Sequence, residues 1–371
     1  MCTNGHETAT TLPTTIDPGS SWAGDVIPIE PVDAMSVLIV CDNFVDFLLM
    51  DEGPAHRMPL DVKPPRSLRA VTLEEGMSPD APIAHHGFSA LVTIRKAGRD
   101  HTLLFDCGLT PDGCIENLRR LGVDAGEIEA IICSHGHDDH TTGLSGLIGA
   151  LPGRRTPVLI HPDFWTQRRI AVPGRDPIEM PTTSHRGLAE GGFQVIEDRR
   201  PSFLFQGSAL ITGEVDRTTE FERGDPWHQG RRDGRWAPDP FVLDDQALVV
   251  HVRGKGLVVL TGCGHAGVVN TVRYARRLTG VDEVHAVIGG FHLSGPLFTP
   301  LISPTVDGLA ELAPEVIVPA HCTGWRAVHA IAARLPDAFI QTSVGTTFDF
   351  VAETVGAAPG IGAASTSALR Q

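Results

Sequence analysis

The chain has 371 residues, 42% of them hydrophobic, and a formal charge of −15. That length and apolar content suffice for a substantial globular core, while the excess of carboxylates argues against nonspecific binding to nucleic acid or to an anionic membrane surface. Seven cysteines with no C-x-x-C pair fit free thiols in a reducing compartment, so the expected location is cytoplasmic.

Residues 1–34, rich in Thr, Pro and Gly, have neither a basic nor an apolar leader segment and are expected to form an extended or disordered arm. No window approaches the roughly eighteen consecutive apolar residues needed to span a bilayer. One domain is expected over 35–355. Its apolar runs at 35–43, 88–94 and 102–105 read as strands, followed by a short helix at 114–121 and a strand at 130–134. A further helix is expected from 141 to 148. From about 165 to 240 the pattern weakens into Arg, Gly, Pro and Asp with short apolar runs, and this stretch is read as an insertion flanking the active site. A hairpin follows, 247–253 and 257–260 around Gly254-Lys255-Gly256. Two strand–helix repeats come next, with strands at 284–288 and 315–318 and helices from about Thr305 and Trp325. The tail 356–371, dominated by Ala, Gly and Ser, is expected to be flexible.

The chemistry concentrates in His135-Gly136-His137-Asp138-Asp139-His140, directly after the strand at 130–134. Imidazole and carboxylate are the ligands suited to zinc, iron or manganese. On an extended backbone His135 and His137 project the same way, and Asp139 and His140 lie on the turn entering the next helix. One pair can hold one ion and the other pair a second. Three later strands also end in His-bearing turns: Gly262-Cys263-Gly264-His265, Gly290-Phe291-His292 and Pro319-Ala320-His321. Strands ending at one sheet edge would bring these side chains to the first cluster. His161, His185, His228 and His251 lack this placement and are read as structural or exposed. No G-x-S-x-G or H-E-x-x-H motif is present, so serine-hydrolase and zincin readings have no support.

The H-x-H-x-D-H pattern resembles the second motif of the metallo-β-lactamase superfamily, and the resemblance runs from about 36 to 350. Within it the chain looks similar to the dihydropterin-aminobenzene-phosphate synthase-like branch. The shared pieces are Phe105-Asp106-Cys107-Gly108, Ser134-His135-Gly136-His137, Thr212-Gly213-Glu214, Thr261-Gly262-Cys263-Gly264-His265, Gly289-Gly290-Phe291-His292-Leu293 and Pro319-Ala320-His321-Cys322-Thr323-Gly324. Two positions depart from the branch: Asp138 stands where Tyr is usual, and Thr142 where Gly is usual. The resemblance implies a four-layer αββα sandwich of two mixed β-sheets flanked by helices.

It also implies two divalent ions, Zn2+ first and Mn2+ or Fe2+ as alternatives, held by His135, His137, Asp139, His140, His265 and His321. The superfamily commonly has an Asp bridging the ions at the strand end occupied here by Cys263, so Cys263 or His265 must supply that contact, and His265 is favoured. His292 is a second-site ligand, a substrate hydrogen-bond donor or a general acid. Asp106 is expected to orient a ligand imidazole. The expected chemistry is hydrolysis of an ester, lactone, amide or phosphoester in a small anionic or pterin-like molecule, by a hydroxide lying between the ions with Asp139 relaying a proton. Arg168, Arg169, Arg217 and Arg223 are candidates for phosphate recognition. The alternatives are the branch's synthase reaction, diiron redox chemistry, and a non-catalytic binder of the same fold. The expected partner is a small molecule, with no nucleic acid and no membrane. A homodimer is compatible with the sequence, which does not decide the oligomeric state.

Overall fold

In the strand Arg99–Phe105, Leu103 and Phe105 face one way and Leu104 the other, and all three are fully buried, so both faces of this sheet are covered. Ala130–Ile132 repeats the pattern with Ala130 and Ile132 on one face and Ile131 on the other. The later strand Gly256–Thr261 does so with Val258 and Leu260 opposed to Leu257 and Val259. Strict alternation of buried residues on both faces is what two sheets stacked between outer helices require.

The computed structural model describes residues 26–58, 65–151 and 155–353 and the short strand Thr14–Thr15. An eight-stranded sheet runs in the order Gln194–Glu197, Pro157–Ile160, Ala130–Ile132, Arg99–Phe105, Ser89–Lys96, Ala34–Cys41, Thr347–Val351, Ala55–His56. Its first four strands are parallel and the others antiparallel. A seven-stranded sheet runs Thr14–Thr15, Ser202–Leu204, Ala209–Ile211, Leu248–Val252, Gly256–Thr261, Val284–Gly290, Val316–Ala320, with the last three parallel. Between the sheets, Val92, Ile94, Leu103 and Phe105 meet Val250, Val258, Leu260 and Ile288. Each such side chain contributes about 1.5–3 kcal/mol on burial.

Helices Val268–Thr279, Ile302–Leu312 and Trp325–Arg334 pack on the outer face of the second sheet, and Gly113–Arg120 with Leu144–Ile148 on that of the first. The expected αββα sandwich is the observed fold. The hairpin joining Ser89–Lys96 to Arg99–Phe105 turns on Ala97 and Gly98, both at positive φ (49° and 76°), the two-residue geometry that follows the twist of the strands.

The weakly patterned stretch 165–240 carries two kinds of structure. Residues 194–211 supply the edge strand Gln194–Glu197 to the first sheet and the strands Ser202–Leu204 and Ala209–Ile211 to the second. The remainder forms a separate four-stranded sheet, Ile178–Glu179, Arg168–Ile170, His228–Arg232, Arg235–Pro238. Its sequence signal is weak because these strands are short and rich in Arg. The N-terminal stretch is not loose where it is described: Ile27 and Ile29 pack into the outer core of the second sheet, and the Ile27 N–H donates to Leu278 O at 2.6 Å. The tail 356–371 lies outside the described residues. Among those residues no helix is long and apolar enough to cross a membrane.

Candidate metal centre

The carboxyl ends of strands from both sheets meet at one edge, where ligand sites of α/β proteins lie. From the first sheet, Arg99–Phe105 leads into Asp106 and Ala130–Ile132 into 135–140. From the second, Gly256–Thr261 leads into Cys263 and His265, Val284–Gly290 into His292, and Val316–Ala320 into His321. Asp106, His292 and His321 all have left-handed backbone, with φ of 58°, 47° and 47°, a strain that persists where surrounding contacts enforce it. At His321 those contacts are its N–H donating to Asp42 Oδ1 (2.8 Å) and its carbonyl accepting from Asn43 Nδ2 (2.9 Å). Gly262 allows the two sheets to close: a Cβ there would lie 2.0 Å from Ser134 Oγ and 2.6 Å from Asp106 Oδ2.

Asp106 organises the first cluster. Its Oδ1 accepts the Ser134 N–H (2.7 Å), and its Oδ2 accepts both the Ser134 hydroxyl (2.7 Å) and His140 Nδ1 (2.7 Å). Because the Ser134 hydrogen points at Asp106, its oxygen accepts from His135 Nδ1, 2.9 Å away. This network assigns the tautomers: Nε2 of His135 and Nε2 of His140 are both turned toward the centre. His135 Nε2 lies 3.0 Å from His137 Nδ1, and His140 Nε2 lies 3.2 Å from Cys263 Sγ. The imidazoles of His137, His265 and His292 each keep one buried nitrogen with no hydrogen-bond partner, an unusual concentration of unsatisfied polar atoms.

Four sets of ligand atoms fall within 4.8 Å of one another: Asp139, His140, Cys263 and His321; His135, Cys263 and His265; Cys263, His292 and Cys322; and His135, His137 and Asp139. Cys263 belongs to three of the four. His265, expected to stand in for the missing bridging Asp, packs against His135, His137 and His292 (ring centroids 4.8, 4.9 and 4.1 Å) and shares one ligand set with His135 and Cys263. The Cys263 thiol shares ligand sets with His135 and His265 and with Asp139, His140 and His321.

Burial pushes the imidazoles of His135, His137 and His265 well below the usual histidine range, so they are neutral and ready to donate a lone pair. For His140 burial acts the same way, but the Asp139 and Asp106 carboxylates outweigh it and hold the ring up at about 9. Burial would raise Asp139; the facing His140, His321 and His86 instead hold it well below the carboxylate range. Its Oδ2 lies 3.2 Å from His321 Nε2 and 3.4 Å from His86 Nε2. Burial raises the Cys263 thiol. Asp138 is only half-buried, and its carbonyl accepts from the Thr142 hydroxyl at 2.8 Å.

The arginines expected to read phosphate have other partners. Arg168 is 2% exposed and bonds Asp239 (3.0 Å) and Asp244 (3.2 Å), too deep to meet a ligand. Arg169 donates to Gln229 (2.8 Å) and stacks on Trp236. Arg217 donates to the carbonyls of His265 and Phe241, and Arg223 to that of Glu220.

Four features escaped the sequence reading. His86 caps Asp139, and His228 is buried against His137 and His265 (ring centroids 5.2 and 5.6 Å). Cys322 stands beside Cys263 and His292. Asp244-Asp245-Gln246 crosses between the sheets: Asp244 accepts the Gly136 N–H (2.8 Å), Asp245 accepts the Ala266 N–H (2.7 Å), and Gln246 donates to the carbonyls of Ser134 (2.9 Å) and Cys133 (3.0 Å). The one available signal was that acidic pair standing directly before an apolar strand. His161 is buried and accepts the Asp163 N–H at 3.0 Å.

Residues 84–321 match the family described as the metallo-beta-lactamase superfamily. Among curated proteins the chain is 28% identical to 7,8-dihydropterin-6-methyl-4-(beta-D-ribofuranosyl)-aminobenzene-5'-phosphate synthase of Methanocaldococcus jannaschii, over 72% of this chain and 90% of that protein. It is 31% identical to an uncharacterized protein of the same organism, over 66% of this chain and 86% of the other. Among solved structures, a metal-dependent hydrolase of the beta-lactamase superfamily superposes with a TM-score of 0.61 at 23% identity, covering 85% of this chain and 99% of that one. This last likeness concerns the fold.

Proposed function

The chain belongs to the metallo-β-lactamase superfamily, and from that membership and the geometry of its centre we propose that it is a dinuclear metal-dependent hydrolase of a small molecule. One observation carries the reading: the Asp106–Ser134 relay turns His135 Nε2 and His140 Nε2 toward the centre, where neighbouring imidazole nitrogens have no protein partner. Ligand imidazoles need such a partner on their other nitrogen. His135, His137 and His265 would hold one ion, and Asp139, His140 and His321 the other, with Cys263 between them. A thiolate among imidazoles favours zinc.

When bound, such ions supply Lewis acidity and make water a nucleophile near neutral pH. Around them the protein orients and moves protons. Asp139, held ionised, would accept a proton at Oδ2, 3.4 Å from His86 Nε2, which in its neutral form could pass it to solvent. His292 Nδ1, buried and unpartnered, is placed to give a proton to a leaving group. The expected substrate carries an ester, lactone, amide or phosphoester bond.

The test is metal analysis of protein purified without chelator, followed by a screen of lactones, phosphoesters and pterin conjugates. About two zinc or manganese ions per chain, with hydrolysis abolished by Asp139→Ala, supports the proposal. No metal after reconstitution overturns it, and two irons would favour diiron redox chemistry. The relative at 28% identity supports a second reading, condensation of a dihydropterin with an aminobenzene ribosyl phosphate. Product formation from those two partners, without hydrolysis of any ester, would select it.

A further inference from the structure

The turns that carry Cys263 and Cys322 are fixed to one strand lying between them. Strands Gly256–Thr261 and Val316–Ala320 each pair with Val284–Gly290 and not with each other, so their backbones run about 9.6 Å apart, twice the spacing of neighbouring strands. Side chains at their ends can meet only where the middle strand has none, and there it has Gly290. A Cβ on Gly290 would lie 2.7 Å from Cys322 Sγ and 3.2 Å from the Cys263 Cα. Glycine within a strand marks such a close approach. The Cys263 and Cys322 sulfurs consequently lie within 4.8 Å of each other, and Cys322 Sγ is 3.4 Å from the Cys263 carbonyl oxygen.

Hydrogen bonds hold both turns in place. On the Cys263 side, the Gly290 N–H donates to Gly262 O (3.0 Å) and the Thr261 hydroxyl to Gly290 O (2.9 Å). On the Cys322 side, the Phe291 N–H donates to Thr323 Oγ1 (3.1 Å), and that hydroxyl donates to Ala320 O (2.7 Å). The two thiols differ in access. Among the described cysteines Cys322 alone is not buried; Cys263 and the thiols at 41, 107, 114 and 133 are all enclosed. An oxidant arriving from solvent therefore meets Cys322 first, with Cys263 directly behind it, the arrangement of a reacting thiol and a resolving one.

We propose that Cys322 and Cys263 form a reversible disulfide under peroxide, and that this bond switches off the neighbouring centre by withdrawing Cys263 from it. Hydrogen peroxide transfers one oxygen atom to Cys322 Sγ, giving a sulfenic acid and one water. Cys263 Sγ then attacks that sulfur: the S–S bond forms, the S–O bond breaks, and the oxygen leaves as a second water carrying the Cys263 proton. Two thiols are oxidised and one peroxide is reduced to two waters. A dithiol reverses the bond by exchange. Because Cys263 belongs to three of the four ligand sets, tying it to Cys322 affects both sides of the centre at once. That consequence rests on the dinuclear reading, whereas the bond itself rests only on where the sulfurs lie. Ions that hold Cys263 should in turn slow its oxidation.

The experiment treats full-length protein with hydrogen peroxide, metal-loaded and chelated, then blocks the remaining thiols, digests the chain and maps the peptides by mass spectrometry. The expected result is a peptide linking Cys263 to Cys322, loss of two of the seven thiols, and recovery of both with dithiothreitol. Metal release, followed with a chromophoric chelator, should keep step with the link, and chelated protein should form the link faster than loaded protein. Cys322→Ser should load as much metal as the unaltered chain, form no link and keep its metal under peroxide. Oxidation of Cys322 to a sulfinic acid without a link, a link to some other cysteine, a link formed with all metal retained, or equal peroxide sensitivity in Cys322→Ser overturns the proposal. Two bound ions and no link sink the disulfide alone. A link in protein that never holds metal leaves the disulfide standing and sinks the dinuclear reading.

Discussion

At Asp106 one carboxylate serves two imidazoles, directly at His140 and through Ser134 at His135. Asp106→Asn keeps the size but removes the charge and one acceptor, so metal affinity should fall about 10- to 100-fold, measured by competition with a chromophoric chelator. Proton release is a second check. His140, held at about 9, and the raised Cys263 thiol must each lose a proton to become ligands, whereas His135, His137 and His265 are already neutral. Between pH 7 and 8 the apparent affinity should therefore rise about 100-fold, tenfold per proton. In Cys263→Ala the rise should be about tenfold; an unchanged slope would remove Cys263 from the ligand set. The H-x-H-x-D-H cluster was legible because its members lie six residues apart or fewer on a strand end. His86, His228 and Cys322 were not, since nothing local distinguishes a histidine or thiol that meets the centre only through the tertiary fold.

At the scale of elements, alternation revealed the long strands, and their observed limits differ from the expected ones by a few residues. Strands of two to five residues in the Arg-rich stretch 165–240 lack that signal, and four of them form the sheet that carries Arg168. Sequence could not separate a phosphate-binding arginine from a buried one. Arg168→Ala would strand Asp244 without its cation, and breaking a buried pair costs about 3–5 kcal/mol, readable as a lower urea midpoint at unchanged slope. Because Asp244 also holds the Gly136 N–H, the same variant should loosen the His135–His137 turn and weaken metal binding. Gly262→Ala should be worse for the site than for the fold: its methyl would enter the space of Ser134 Oγ and Asp106, and the expected readout is loss of bound metal in protein that still unfolds cooperatively.

Over the whole molecule, the metal-free protein carries a pH signature. A histidine raised from 6.5 to about 9 stabilises the fold fully below pH 6.5 and loses that contribution as pH rises through about 9. His228, depressed to about 4, acts at the acid side, where stability is lost as pH falls from 6.5 through 4. Asp245, raised to about 7, withdraws stability between 3.8 and 7 and none above. In chelated protein His140→Gln should therefore cost more melting temperature at pH 7 than at pH 9. Metal-loaded protein should not show this difference, since the ion replaces the proton.

The proposed ligand set would also fix an order of events in the cell. His135 comes from the first sheet and His321 follows the last strand of the second, so about half the chain must be made between them. A ribosome-bound chain halted before His321 has the His135–His140 turn but none of the opposing wall, and can hold an ion only as loosely as a short His-rich peptide does. On that ligand set, tight metal uptake would wait until synthesis is nearly finished. Ion supply would then act on completed chains, and partial products of translation would compete poorly for a scarce metal.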